Sequence, residues 1–206
     1  CGNIKAINEI IEVFGTDHDS TFEGLVDTIL PVLLRYAETS NDRKLCQYYL
    51  KALDSLVSLN YIPFNQETCQ NLVEIALFFL EGKGLFQIDT DEYDEYVHSP
   101  ACILLRDLLY AYEDTCVDIL HSAIDFFWNH LKDDFQILSY QFFADGILCV
   151  HNRPFLEESK LGELLLRVVQ DHKIAESIPV ITAFVRNQIG FVRDQIPMFV
   201  EMMLSI

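Results

Sequence analysis

The sequence predicts an all-α protein, an α-solenoid of HEAT-like antiparallel helix pairs with about ten helices. Three observations lead there. Between Asp114 and Leu131 the apolar residues fall at Cys116, Ile119, Leu120, Ala123, Ile124, Phe127, Trp128 and Leu131. That is the i, i+3, i+4, i+7 rhythm of a helix with one buried face. The same rhythm runs almost from end to end, and no stretch alternates with period two over the length of a strand. Finally, the first helices of successive pairs begin near residues 4, 42, 100, 134 and 174. Their spacings, about 38, 58, 34 and 40 residues, lie close to the ~40–47-residue HEAT period in all but one case.

Taken in order, the predicted helices span about 4–14, 22–38, 42–59, 65–81, 100–112, 115–131, 134–150, 157–170, 174–189 and 192–205. Ser20 or Thr21 offers a cap to the second helix, and Asn41 and Asp42 precede the third. Leu45, Tyr49, Ala52, Leu53, Leu56 and Leu59 form the third helix's stripe; Cys69, Leu72, Val73, Ala76, Phe79 and Leu80 form the fourth's. Gly82 and Gly84 are expected to close the fourth helix, since glycine takes the left-handed position after a helix without strain. Ser99 supplies an N-cap oxygen to the fifth, and Pro100 suits a first helical position that needs no amide proton. The other connections are ~2–8 residues, short enough to make consecutive helices antiparallel neighbours.

The one long interval holds "FQIDTDEYDEYVHSP", residues 86–100. An acidic insertion between repeats, at 83–99, is therefore expected within one solenoid spanning residues 1–206. Three aliphatic-Pro-aliphatic steps, at Pro31, Pro179 and Pro197, stand near the first turns of apolar helices. Each prolyl residue either bends a helix, at ~3 kcal/mol, or marks its start.

Composition narrows the function. The chain has 206 residues, half of them apolar, with 14 Lys+Arg against 32 Asp+Glu and a net charge of −18. Phosphate neutralisation needs lysine and arginine, so nucleic acid and anionic membranes are excluded as partners, whereas basic proteins are attracted. No uncharged apolar run reaches the ~18–20 residues that would span a bilayer, so no membrane insertion is expected. The six cysteines are scattered, with no Cys-x-x-Cys pair, a usage that fits a reducing compartment. Because residue 1 is cysteine, the chain is expected to be a fragment or a processed product.

A family resemblance follows from both ends of the chain. The opening "GNIKAINEIIEVFG…FEGLVDTILPVLLRYA" and the close "IPVITAFVRNQIGFVRDQIPMFVEMML" resemble the C-terminal HEAT region of the karyopherin-β (importin) nuclear transport receptors. There, a short helix precedes one with an "ILP"-type step, and "IPxFVE"-type helices recur. The resemblance is a rhythm over most of the chain; the Asp-to-Arg spacing of the strict HEAT helix is not clearly repeated. It implies shuttling between cytoplasm and nucleus, basic cargo, Phe-Gly pore proteins in grooves between repeats, and Ran-GTP on repeats outside this fragment.

No catalytic pattern stands beside it. There is no Gly-x-Ser-x-Gly, and "EGKG" (Glu81–Gly84) lacks the rest of a phosphate loop. Cys1 could serve as an N-terminal nucleophile only in a layered α/β fold that this chain does not predict. The six histidines include no His-x-x-x-His pair, so no metal, no cofactor and no enzyme activity are expected. A calcium loop starting at Asp89 would need glycine sixth and glutamate twelfth, where Asp94 and Pro100 stand. What remains for Asp89, Asp91, Glu92, Tyr93, Asp94, Glu95 and Tyr96 is either a solvated linker or a surface for basic partners. In the second case the tyrosine rings would lie against arginine or lysine stems. Asp107, Glu113, Asp114, Asp118 and Asp125 extend the negative field beyond the loop, with Arg106 the one base among them. A scaffold or adaptor solenoid in a larger assembly is the alternative function. Adjacent aromatic pairs, Phe78-Phe79, Phe126-Phe127 and Phe142-Phe143, cannot share one core stripe equally. One ring of each is expected in the core and the other against a neighbouring repeat or groove.

Overall fold

A computed structural model describes residues 2–15, 20–39, 43–62, 65–81, 98–112, 117–131, 136–144, 158–170, 177–187, 193–194 and 197. Its elements are α1 (Gly2–Phe14), α2 (Ser20–Thr39), α3 (Arg43–Ser58), α4 (Gln66–Leu80), α5 (Ser99–Tyr112), α6 (Val117–Asn129), α7 (Gln136–Phe142), α8 (Glu158–Gln170) and α9 (Ser177–Asn187). Among the described residues every regular element is a helix and none is a strand. The protein is all-α, as its hydrophobic period demands. Two compact units divide it, residues 1–126 and 127–206, and the division falls within α6.

In the first unit the described helices touch the next described helix but one. α1 packs on α3, α3 on α5, and α2 on α4, while α2 also meets α3 and α4 meets α5. Two rows result, one of α1, α3 and α5, the other of α2 and α4. Most of the predicted apolar stripes fill the space between them: Tyr49, Ala52, Leu53 and Leu56 of α3 and Cys69, Leu72, Ala76 and Phe79 of α4 are buried, whereas the predicted Leu45 and Leu59 are only half-buried. Cys46 and Leu50 of α3, outside the predicted stripe, and Leu104, Leu105, Leu108 and Leu109 of α5 complete the core. Burying one such leucine contributes about 1.5–3 kcal/mol, which is why the stripes decide the arrangement. Asn8 is the polar rivet. Its side-chain amide donates to the Ile4 carbonyl at 3.2 Å and across to the Tyr48 carbonyl of α3 at 2.9 Å.

The corners are set by local chemistry. α3 ends in a Schellman motif: Asn60 takes φ 60°, its N–H donates to the Val57 carbonyl, and the Tyr61 N–H donates to the Leu56 carbonyl, both at 3.0 Å. Asparagine tolerates this left-handed position better than most residues. At Gly15, at the end of α1, a Cβ would stand 2.6 Å from Leu59 Cδ1, so a larger residue there would make that half-buried side chain turn aside. Asn65 caps α4, its side-chain oxygen accepting the Thr68 N–H at 2.8 Å. Helix α4 ends at Leu80 with Glu81 as its cap, so the glycines expected to close it lie outside the described residues. α5 begins at Ser99 itself, one residue earlier than a Ser99 cap implies.

The prolines divide between the two expectations. Pro31 lies well inside α2, whereas Pro179 sits in the first turn of α9. At Pro31 the helix loses the bond to the Asp27 carbonyl. Both residues are exposed, so water can satisfy that carbonyl and the helix continues.

The second unit is built on rings. Phe127 of α6 stacks on Phe142 of α7 with centroids 4.1 Å apart, and Phe142 meets Phe143 edge to face at 5.9 Å. Trp128 approaches Phe143 edge to face at 6.1 Å. Phe127, Tyr140, Phe142, Phe143 and Phe184 are all buried, and α9 packs on both α7 and α8. Phe78-Phe79 divides as expected, Phe79 buried and Phe78 half-buried, and so does Phe126-Phe127. Phe142-Phe143 does not: both rings are buried. Phe143 lies past the last residue of α7, in a wider turn, which frees it from the 100° helical spacing that separates neighbours.

Candidate protein-binding surface

The two helix rows of the first unit differ in charge on their exposed sides. Along α2 and α4 the exposed ionisable residues are Glu23, Asp27, Glu67 and Glu74, with Glu81 just beyond, against Arg35 alone among the described side chains. Along α1, α3 and α5 the exposed carboxylates Glu9 and Glu12 are accompanied by the exposed Lys5 and Lys51, and the half-buried Arg106 stands among the half-buried Asp54 and Asp107. The α2–α4 row is thus the acidic side of the unit. Glu23 and Glu67 also occupy the first turns of their helices, where the helix dipole favours a negative charge. Glu74 accepts a hydrogen bond from the Gln70 side chain one turn back.

The expected acidic stretch at Asp89, Asp91, Glu92, Tyr93, Asp94, Glu95 and Tyr96 lies outside the described residues, as do Glu113 and Asp114. Of its expected continuation, Asp118 and Asp125 are exposed on α6. Asp107 is not part of an open field. It is turned against its own neighbours, Oδ1 accepting from Arg106 Nε at 2.7 Å and Oδ2 lying 3.0 Å from Ser58 Oγ of α3.

Beside it stands Asp54, a residue the sequence reading passed over. Burial first, then the charge of Asp107 and a side-chain hydrogen bond with it, push the Asp54 carboxyl up from 3.8 to about 7, with Arg106 acting the other way. Asp54 Oδ1 is sealed from solvent and meets no donor. The signal for it was present. Asp54 lies four residues after Leu50 and three before Val57, both buried, and that spacing places a carboxyl on the edge of the core stripe.

Cationic side chains gather in the second unit. Lys160 Nζ lies 5.8 Å from the Trp128 ring centroid and the Arg167 guanidinium 5.5 Å from it. Arg167 also pairs with Glu163 one turn back, at 2.5 Å. The cation-on-ring contact that the sequence suggested for an incoming partner at Tyr93 and Tyr96 is found here within the chain.

Among the described residues no three His, Cys, Asp or Glu side chains gather as a metal ion would require. No described helix is long and apolar enough to cross a membrane. Cys46, Cys69 and Cys102 are buried thiols of the first unit's core, where cysteine serves as a small hydrophobe. The chain matches no protein-family model, no curated protein and no solved structure.

Proposed function

We propose that the chain is a protein-binding α-solenoid of HEAT-like helix pairs whose acidic second row receives basic partners. The observation that carries this reading is the pairing of second-neighbour packing with one-sided charge. α1–α3–α5 and α2–α4 form rows, the relation expected when two-helix repeats stack on one another. The carboxylates Glu23, Asp27, Glu67 and Glu74 are exposed along one row, and the whole chain carries −18. Such a field speeds the approach of a cationic partner and weakens with salt. On the sequence resemblance, the reading extends to part of an importin-like nuclear transport receptor working in cytoplasm and nucleus. That receptor would carry basic cargo, meet Phe-Gly pore proteins and bind Ran-GTP through repeats outside this chain. Neither catalysis nor a cofactor belongs to it.

The test is binding of a lysine- and arginine-rich peptide, followed by fluorescence anisotropy. Affinity should fall at least tenfold between about 50 and 200 mM salt if several charges are neutralised. Joint reversal of Glu23, Asp27, Glu67 and Glu74 to lysine should abolish it. Neutralising Asp89, Asp91, Glu92, Asp94 and Glu95 to the amides should slow association and leave the melting temperature nearly unchanged. If no basic peptide binds, the binding surface is wrong. If basic peptides bind but Phe-Gly peptides and, for the full-length chain, Ran-GTP do not, only the transport reading falls.

A second reading, a scaffold or adaptor in a multi-subunit assembly, has its own observation. Ile178 and Val185 lie seven residues apart on one face of α9 and are 60% and 49% exposed. An adaptor would bury that face in another subunit, and its association would persist at high salt.

A further inference from the structure

The α3–α5 contact contains an acid pair whose hydrogen bonds are unequally shared. Two donors lie within reach of the Asp107 carboxylate: Arg106 Nε stands 2.7 Å from Oδ1, and Ser58 Oγ 3.0 Å from Oδ2. Ser58 Oγ lies equally near the Asp54 carbonyl oxygen, at 3.0 Å, so its single proton serves one acceptor at a time. Asp54 receives none of them on Oδ1, which is closed to water. An ionised Asp54 would therefore be a largely buried charge facing a second carboxylate, the arrangement in which one group of a pair keeps its proton. We propose that the Asp54–Asp107 pair is a proton-operated latch: the shared proton holds α3 against α5, and its loss loosens that contact. The site stands independently of the binding function proposed above.

The surroundings leave little else to compensate the charge. From α5, Asp107 raises and Arg106 lowers the proton affinity of Asp54. Lys5, Glu9 and Glu12 of α1, Glu23, Asp27 and Arg35 of α2, and Lys51 of α3 itself are exposed, and none of them is among the groups acting on Asp54. Arg106 is already engaged by Asp107. Opening the helix contact admits water to Asp54 and returns its carboxyl toward the ordinary range. Deprotonation and opening thus favour each other.

Amide hydrogen exchange of the whole chain at pH 5 and pH 8, corrected for the intrinsic pH dependence of exchange, tests the latch. With the carboxyl at 3.8 when open and about 7 when closed, linkage makes opening roughly a hundredfold more frequent at pH 8 than at pH 5. The increase should be concentrated in residues 43–58 and 99–112. Asp54→Asn keeps the shape and offers Asp107 a donor, so it should remove the step. Asp107→Asn, which removes the opposing charge and keeps a hydrogen-bonding side chain, should move the step to lower pH. The latch is overturned if the wild-type chain shows no step, or if Asp54→Asn retains it. A step spread evenly over α1 to α5 would mean general unfolding and would equally sink it. Should Asp54→Asn fail to fold, a carboxyl carbon titration placing Asp54 near 4 in the wild-type chain would overturn the idea, and one near 7 would support it.

Discussion

The two units solve one problem differently: each brings ionisable groups up against an apolar core. In the first unit the core is mostly aliphatic, with Leu33, Leu50, Leu53, Leu56, Leu72 and Leu104 beside a few rings such as Phe79, and the group at its edge is the Asp54 carboxyl. Aliphatic side chains offer no electrostatic compensation, so the carboxyl holds its proton up to about pH 7. In the second unit stacked rings are a large part of the core, and the ionisable groups are Lys160 and Arg167 over Trp128. A ring face is electron-rich, so it attracts these cations, by about 0.5–1 kcal/mol each. What lines the core decides whether an ionisable group beside it is opposed or attracted.

The largest expected effects come from the cores themselves. Phe127→Ala removes the ring stacked on Phe142 and should cost about 3–5 kcal/mol in chemical denaturation. Trp128 is the sole tryptophan, and its emission should shift with that change in the native state. Leu53→Ala, at a fully buried aliphatic site, should cost about 2–5 kcal/mol and leave native Trp128 emission unaltered. A similar emission shift from both would erase the contrast between the two cores.

Next is the carboxyl. Its folded pKa, about 7, exceeds the unfolded value of 3.8. Its stabilising contribution is therefore full below pH 3.8 and lost as the pH rises through 7. Asp54→Asn should flatten the stability profile between pH 4 and 8. It should make the protein more stable than wild type at pH 8, by on the order of 2 kcal/mol. Urea denaturation at both pH values checks the sign; a variant less stable than wild type at pH 8 would remove the aliphatic half of the comparison. Asn60→Ala comes third, at about 1 kcal/mol, because the left-handed cap of α3 strains a β-carbon without compensation, while Asn60→Gly should be nearly neutral. Smallest is Arg167→Met, about 0.5–1 kcal/mol at low salt, with a change in Trp128 emission that a merely packing role would not make salt-dependent.

Much of the architecture was legible in advance. The stripe of α4 and the middle of that of α3 were readable because buried helical faces repeat every three to four residues whatever they pack against; Cys46 and Leu50 were missed and Leu45 and Leu59 are only half-buried. The capping chemistry was only partly so. Asn65 and Asn60 terminate helices by local hydrogen bonds, yet asparagine is common enough in loops that neither stood out. Asp107 was read as one more surface acid. Sequence spacing shows that it belongs to a helix but not that Ser58, 49 residues earlier, meets it across α3 and α5.

The sequence by itself determined that the protein is helical, where its apolar faces lie, that it is acidic, and that Pro31 and Pro179 fall in helical segments. Those properties are set by composition and by neighbours within a turn or two. Tertiary structure alone decided which acids are exposed and which are engaged, and that Phe142 and Phe143 are both buried. It also decided that Trp128 meets its cations within the chain, and that the Asp54 carboxyl is largely buried beside Asp107. Each of these depends on a partner brought near by packing, and both solvation and Coulomb interaction act through distance in space rather than position along the chain.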